Sequence, residues 1–302
     1  MGAAILCVGA LTLDAVYRVP ELPAAPRKYL ASEAFELPAG MAASAAIAAA
    51  RLGGRPRLLA SVGTDRAGRE LIDGLTAAGV DCAEVRRVPG GRSATAVVVV
   101  APDGERVVVA HYPDTNRPPP PRMPDTRDIG AVLVDTRWPE AAEAALIAAR
   151  AAGLPAILDA DTAPIDVLHR LAARAGHVIA SRHGGQLLTG EHDPEAAARR
   201  LLEAYGGVVA VTAGAQGCWW SDGNAVRHAP APRVAVVDTN AAGDVFHGAF
   251  ALALAEGQPP DRAVRFAVHA AALKCTRSGG ALGTPGRSEL DALMSRGEPS
   301  RD

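Results

Sequence analysis

Residue types that could move a phosphoryl group stand together in Asp238-Thr239-Asn240-Ala241-Ala242-Gly243-Asp244. The small residues at Ala241, Ala242 and Gly243 would let an anion approach the backbone amides closely. Val245, Phe246, Ala249, Phe250 and Ala253 recur at helical spacing just after, which makes those amides the start of a helix. Amides there lack intrahelical partners, and the helix dipole favours negative charge beside them. Asp244 adds a carboxylate next to this anion hole, an electrostatically costly placement. A base that takes a hydroxyl proton while amides steady a transferring phosphoryl group needs that layout. Spacing alone leaves another reading open: a plain strand–turn–helix link in which Asp244 complements the dipole.

The elements that must position this turn read as alternating strands and helices. Val234 to Val237 leads into it as an apolar, strand-like run. Ala3 to Ala10 is continuously apolar, as expected of a strand buried on both faces of a parallel sheet. Asp14 follows just past the end of that strand, where open α/β sheets bind ligands; a turn cap is the alternative. Gly40 and Met41 open an Ala-rich helix that stops at Gly53-Gly54. Leu58 to Gly63 reads as the next strand, and Asp65 as the N-cap of the helix after it. Thr95 to Ala101 and Arg106 to Tyr112 are β-branched runs joined by Pro102-Asp103-Gly104-Glu105, a hairpin signal. With the alternating stretch around 29 to 37 they make a small sheet outside the main layers. His111 ends that hairpin, as a substrate-facing or merely exposed histidine, and Lys28 precedes the sheet as a lysine that solvation alone would explain. Arg117 to Arg122 is a polyproline spacer.

Regular alternation then resumes, with strands at Ala131 to Asp135, Ala156 to Asp159, Val178 to Ala180 and Val208 to Thr212. Short loops of this kind imply right-handed crossovers and a parallel sheet. Arg137-Trp138 and the pair Asp159 and Asp161 fall at strand ends, so polar residues converge on one rim. A surface ion pair is the plain reading of Arg137, and the two aspartates lack the further ligands of a metal site. Trp219-Trp220 should place one ring on each face of a sheet, and His247 should pack behind the turn.

Composition narrows the function classes. In 302 residues, 31 basic side chains nearly balance 33 acidic ones, so no global field points to nucleic acid. Cys7, Cys82, Cys218 and Cys275 are far apart and show no metal or redox spacing; reduced thiols and a cytoplasmic setting fit them. Met1 to Leu6 reads as a first strand rather than a signal peptide, and no apolar run reaches membrane-spanning length unbroken.

Asp238 to Asp244 resembles the DTxGAGD signature of the ribokinase-like (PfkB) carbohydrate kinases, with Ala241 in place of its first glycine. Gly40-Met41 into Ala50-Arg51-Leu52-Gly53 is similar to that family's first signature, and Val62-Gly63-Thr64-Asp65-Arg66-Ala67-Gly68 to its VGxDxxG turn. Thr212-Ala213-Gly214-Ala215-Gln216-Gly217 resembles its TxGxxG turn at the nucleotide, and Cys275 to Ala281 its loop beside adenine. The resemblance implies a three-layer αβα fold over residues 1–302 as one kinase domain, with a mostly parallel central sheet. It implies a β-sheet lid, formed by about 15–37 and 92–113, which often makes a homodimer. It implies ATP, magnesium and sometimes a monovalent cation such as potassium, a sugar acceptor, and no nucleic-acid or membrane partner. Asp244 becomes the catalytic base and Ala241, Ala242 and Gly243 the anion hole. Thr212, Gly214, Gly217, Asn240, Lys274 and Gly280 become nucleotide-side residues, although a helix C-terminal charge also explains Lys274. Ser181-Arg182-His183-Gly184 lacks both fixed residues of the NxxE motif tied to magnesium.

Within that family, Lys28-Tyr29, His111-Tyr112-Pro113, Asp135-Thr136-Arg137-Trp138 and Asp159-Ala160-Asp161 are similar to sulfofructose kinases, which phosphorylate 6-deoxy-6-sulfofructose at its 1-hydroxyl. The resemblance makes Asp14, Lys28, Gly40, Met41, His111 and Arg137 acceptor residues. Lys28, Arg137 and His111, the last standing where asparagine is usual, should then gather around the sulfonate. Other sugars, sugar acids, nucleosides and a non-catalytic binding protein stay open as alternatives.

Overall fold

In a computed structural model, residues 2–102, 104–114 and 123–296 are described, so the polyproline spacer and the polar tail lie outside them. The first part of the chain runs β1 (Ala4–Val8), β2 (Thr12–Arg18), β3 (Glu33–Ala39), α1 (Met41–Arg51), β4 (Arg55–Leu59), β5 (Ser61–Gly63), α2 (Arg66–Ala77), β6 (Arg86–Val88), β7 (Ala94–Val100) and β8 (Arg106–His111). Then come β9 (Ala131–Val134), α3 (Pro139–Ala151), β10 (Ala156–Ala160), α4 (Ile165–Ala172), β11 (His177–Ser181), α5 (Arg182–Thr189), α6 (Pro194–Tyr205) and β12 (Val208–Thr212). The last elements are β13 (Cys218–Ser221), β14 (Arg227–Ala229), α7 (Ala242–Ala255), α8 (Pro260–Lys274) and α9 (Arg287–Arg296).

Eight strands form the central sheet in the order β14-β13-β12-β11-β10-β9-β1-β4. From β4 to β12 they are parallel; β13 and β14 extend the edge antiparallel. Period-2 alternation sorts their side chains to two cores. Ile5, Cys7, Leu58, Leu133, Ile157, Ile179 and Ala210 pack with α1, α7 and α8. Leu6, Val8, Leu59, Val134, Leu158, Val178 and Val209 pack with α3, α4 and α6. Helices therefore cover both faces, and the strands read as unbroken apolar runs. Trp220 and Trp219 go to opposite cores, as the alternation predicts.

A second, four-stranded sheet has the order β3-β2-β7-β8. Its inner face buries Val16, Leu37, Ala39, Val98 and Val100. Val97, Val107, Val108 and Val109 are exposed on this sheet.

Three expectations need correcting. Val234 to Val237 is not a strand: it has no ladder partner, and the amides of Val237 and Asp238 instead donate to Cys275 O at 2.8 and 3.1 Å. Asp14 does not lie in a loop after β1 but inside β2, because the chain turns at Gly9 and resumes extended pairing by Thr12. The run from Leu58 to Gly63 divides at Ala60, with β4 in the central sheet and β5 paired only with β6.

One carboxylate fastens the site-bearing ends together. Asp135, just past β9, accepts from the amides of Ala10 (2.7 Å), Ala42 (3.0 Å) and Arg137 (2.8 Å). It thereby caps α1 from a distant strand and ties the end of β1 to the rim. Gly9 makes room for it: φ is +146°, and a Cβ there would lie 2.2 Å from the Asp135 carboxyl carbon. Gly9→Ala should therefore lower unfolding free energy by about 2–4 kcal/mol, through backbone strain and loss of those bonds. Denaturant titration checks this, and a change below about 0.5 kcal/mol, the scale of ordinary surface substitutions, would show that the clamp is dispensable.

Candidate active site

The turn before α7 is strained where the sequence departs from glycine. Ala241 has φ 60° and ψ 12°, and it is the one non-glycine residue with positive φ among the described residues. A left-handed alanine costs about 1 kcal/mol, so the surroundings must hold it. They do so with short bonds: Asn240 N donates to Asp238 Oδ1 (2.8 Å), Ala242 N to Thr239 O (3.2 Å) and Val245 N to Ala241 O (2.9 Å). Val245 to Ala253 is buried throughout, which anchors the helix in the core and leaves its first turn at the rim. The amides of Gly243 and Asp244 fall in that first turn, where no intrahelical acceptor exists.

Asp244 stands among other acids. Asp135, Asp159 and Asp161 all follow or end strands at this rim. Burial, with the nearby Asp159 carboxylate adding to it, pushes the Asp244 carboxyl up to about 8. Asp159 is raised well above the usual range by burial and then by Asp161 and Asp135, with Arg137 opposing. His247 sits between them: Nδ1 is 2.8 Å from Gly243 O, and Nε2 is 3.3 Å from Ile179 O and 3.4 Å from Asp159 Oδ1. Burial lowers the His247 pKa, which favours the neutral ring. In the neutral ring one nitrogen donates and the other accepts, so His247 meets Gly243 O through Nδ1 and Ile179 O and Asp159 Oδ1 through Nε2. This histidine, expected to pack or to make a supporting contact behind the turn, does the second and ties the turn to the sheet.

A small cavity of about 20 Å³ is lined by Gly9, Ala10, Leu11, Tyr112, Arg137 and Trp138. The Arg137 guanidinium donates through Nη1 to Thr162 O (2.8 Å) and lies 5.4 Å from the Tyr112 ring centre. Its Nε is buried without a hydrogen-bond partner among the described residues. Burial pushes the Tyr112 hydroxyl up to about 12, with Asp135 and Asp14 adding and Arg137 opposing. Asp14 accepts from Thr12 Oγ1 at 2.7 Å, and its carboxyl is raised by burial. Gly40, at φ 98°, caps α1 beside Ala10, and Met41 begins the helix. Lys28 and His111 are exposed, and neither forms a hydrogen bond or ion pair with Arg137. Tyr112, absent from the expected acceptor residues, is the neighbour that Arg137 meets.

A larger cavity, of about 530 Å³, is lined by Thr212, Gly214, Gly217, Val236, Ala242, Gly243, Phe246, Val268, Ala272 and Cys275. The volume is within the range of small-ligand sites. Its apolar wall suits a flat base, and its rim at Ala242 and Gly243 suits phosphates, so the residues fit ATP. Asn240 and Gly280 instead face the small sheet, against Leu37, Val16 and Val100. Lys274 does not line this wall. It is fully buried, and its ammonium donates to Asp238 O at 2.9 Å. Arg106 of β8 reaches the turn as well, donating to Thr239 Oγ1 at 2.9 Å. No group of three His, Cys, Asp or Glu side chains among the described residues could hold a metal ion. Magnesium would be carried on the phosphates of ATP, which it neutralises with few protein ligands of its own.

Comparison with known proteins agrees with this geometry. The model of the pfkB family carbohydrate kinases matches residues 3–287. The ribokinase of Bacillus subtilis is 30% identical over 296 residues, covering 96% of this chain and 99% of its own. A solved Agrobacterium tumefaciens chain, described as a candidate ribokinase, is 41% identical with a TM-score of 0.94 and covers 98% of both chains. The Thermotoga maritima ribokinase structure is 27% identical with a TM-score of 0.81, covering 98% of this chain and 100% of that one. The family match over nearly the whole chain and the full-length likeness to proteins named ribokinase show that the chain belongs to the pfkB family of ATP-dependent carbohydrate kinases.

Proposed function

We propose that the acceptor of this kinase is an anionic sugar, with 6-deoxy-6-sulfofructose, phosphorylated at its 1-hydroxyl, as the leading candidate. The observation that carries this reading is Arg137, whose guanidinium lines the acceptor-side cavity with Nε unpartnered among the described residues. A guanidinium fork matches a sulfonate through parallel hydrogen bonds. Tyr112 braces the fork, and Lys28 and His111 would join the anion as the small sheet, acting as lid, closes over the acceptor. In this reading residues 1–302 are one kinase domain. The exposed valines of edge strand β8 favour a homodimer through that sheet, and the unpaired cysteines fit a cytoplasmic enzyme.

Asp244 takes the proton of the acceptor hydroxyl as its oxygen bonds to the γ-phosphorus of ATP. The bond from that phosphorus to the β–γ bridging oxygen breaks, and ADP leaves. The first-turn amides of Gly243 and Asp244, beside the small residues Ala241 and Ala242, hold the transferring oxygens in place. Magnesium, carried on the phosphates, supplies charge neutralisation.

Asp244→Asn should retain ATP binding but lose turnover by roughly a hundredfold or more. A base with a carboxyl at about 8 must lose its proton before it can act. Wild-type kcat/KM for the sugar should therefore rise with pH through about 8 and level off above it. A flat profile between about pH 6 and 9 would remove Asp244 as the titrating base.

A second reading, a neutral pentose, is favoured by the relative of 30% identity named ribokinase. ADP release measured across sulfofructose, fructose 6-phosphate, fructose and ribose separates the two, since an anionic-sugar kinase should prefer the first. Arg137→Ala should cost about 2–4 kcal/mol in kcat/KM for the anionic sugar and little for a neutral one. Equal losses on both, or a wild-type preference for ribose, would exclude the anionic acceptor.

A further inference from the structure

The mechanism above leaves one buried charge without a task. The chain's 31 basic residues include only two lysines, Lys28 and Lys274. Lys274 ends α8 with no exposed surface, and its ammonium lies 2.9 Å from Asp238 O and 3.5 Å from Asp238 Oδ2. Among the described residues no other basic side chain forms an ion pair with Asp238. Burying an ammonium is unfavourable unless it is paired, so the site must need the charge.

Asp238 begins the anion turn. Its Oδ1 holds Asn240 N at 2.8 Å, and its own amide is held by Cys275 O at 3.1 Å. Its carboxylate therefore fixes the strained turn at Ala241, but it also puts a negative charge beneath a hole shaped for phosphate. A compact ammonium can sit against both the carbonyl and the carboxylate of one residue. A planar guanidinium is larger and fits such a point less well, in keeping with a lysine here in an arginine-rich chain.

We propose that Lys274 is a built-in monovalent cation, a positioning residue that neutralises Asp238 and holds the turn in its phosphate-binding shape. It acts through Asp238 and need not touch the nucleotide. Charge supplied from within makes the protein indifferent to which monovalent ion surrounds it. Truncating the side chain leaves a space bordered by a carboxylate and a carbonyl, both oxygen ligands, that a small cation of matching charge can enter.

This inference rests on the kinase reading of the turn, but ATP affinity reads it without reference to the acceptor. Calorimetric ATP titration should show wild-type affinity changing less than about twofold when sodium, potassium, ammonium or tetramethylammonium chloride is exchanged at fixed ionic strength. Lys274→Ala should bind ATP roughly ten- to a hundredfold more weakly in tetramethylammonium and recover at least about fivefold in ammonium or potassium. Lys274→Met, which fills the space without charge, should show the same loss and no recovery. A folded Lys274→Ala with wild-type affinity, or a loss that no small cation restores, overturns the proposal. So does a wild-type protein whose affinity rises severalfold with potassium. If Lys274→Ala does not fold, Lys274→Met decides: wild-type ATP affinity in that variant overturns the proposal, and the tenfold loss supports it. Absence of sugar turnover with ATP affinity behaving as stated would count against the acceptor reading alone.

Discussion

Burial of acids at the rim of the central sheet, reinforced by their mutual repulsion, is the constraint on which the rest of this structure depends. Asp135, Asp159, Asp161 and Asp244 converge where the local dielectric is low, and they cannot all carry full charge at neutral pH. Each is relieved differently. Asp135 accepts from three backbone amides, Asp161 accepts from Ser181 Oγ at 2.8 Å, and Asp159 faces His247. Among the described residues Asp244 has no such hydrogen-bonded cap, and burial, with Asp159 adding to it, raises its carboxyl to about 8. The same burial and repulsion would give Asp244, as the proposed base, its affinity for a hydroxyl proton.

The cations are placed in answer to these acids. Arg137 lowers the cost of Asp159 and Asp135 from the acceptor side. Lys274 answers Asp238 beneath the turn. Arg106 bridges from the small sheet to Thr239, so one residue of β8 touches the element that holds phosphate.

The turn was legible in the sequence because its chemistry is local. Small residues, a helix start and an acid fall within seven positions, and phosphate binding by amides constrains all of them at once. Hydrophobic runs likewise revealed the parallel strands, since burial on both faces leaves a continuous signal. What stayed hidden depends on partners distant in sequence. Val234 to Val237 has strand composition, yet its end hydrogen bonds to Cys275, which apolar pattern cannot reveal. Asp14 looked like a loop residue because the bend at Gly9 interrupts no apolar pattern. Lys274 has the position of a helix C-terminal charge, and only packing against Asp238 shows its different use. Lys28 and Arg137 share a charge but not a neighbourhood, and Tyr112 stands where the lysine was expected.

Burial, with crowding by neighbouring acids, holds the Asp244 carboxyl protonated at neutral pH in the unliganded site. Carbon-13 NMR of aspartate-labelled, unliganded protein reads this directly, by following each carboxyl from about pH 4 to 10. One carboxyl should titrate near about 8 in the wild type and vanish in Asp244→Asn. If the resonance lost in that variant titrates instead in the ordinary range near about 4, the crowded rim does not tune the base, and the account of this site is wrong.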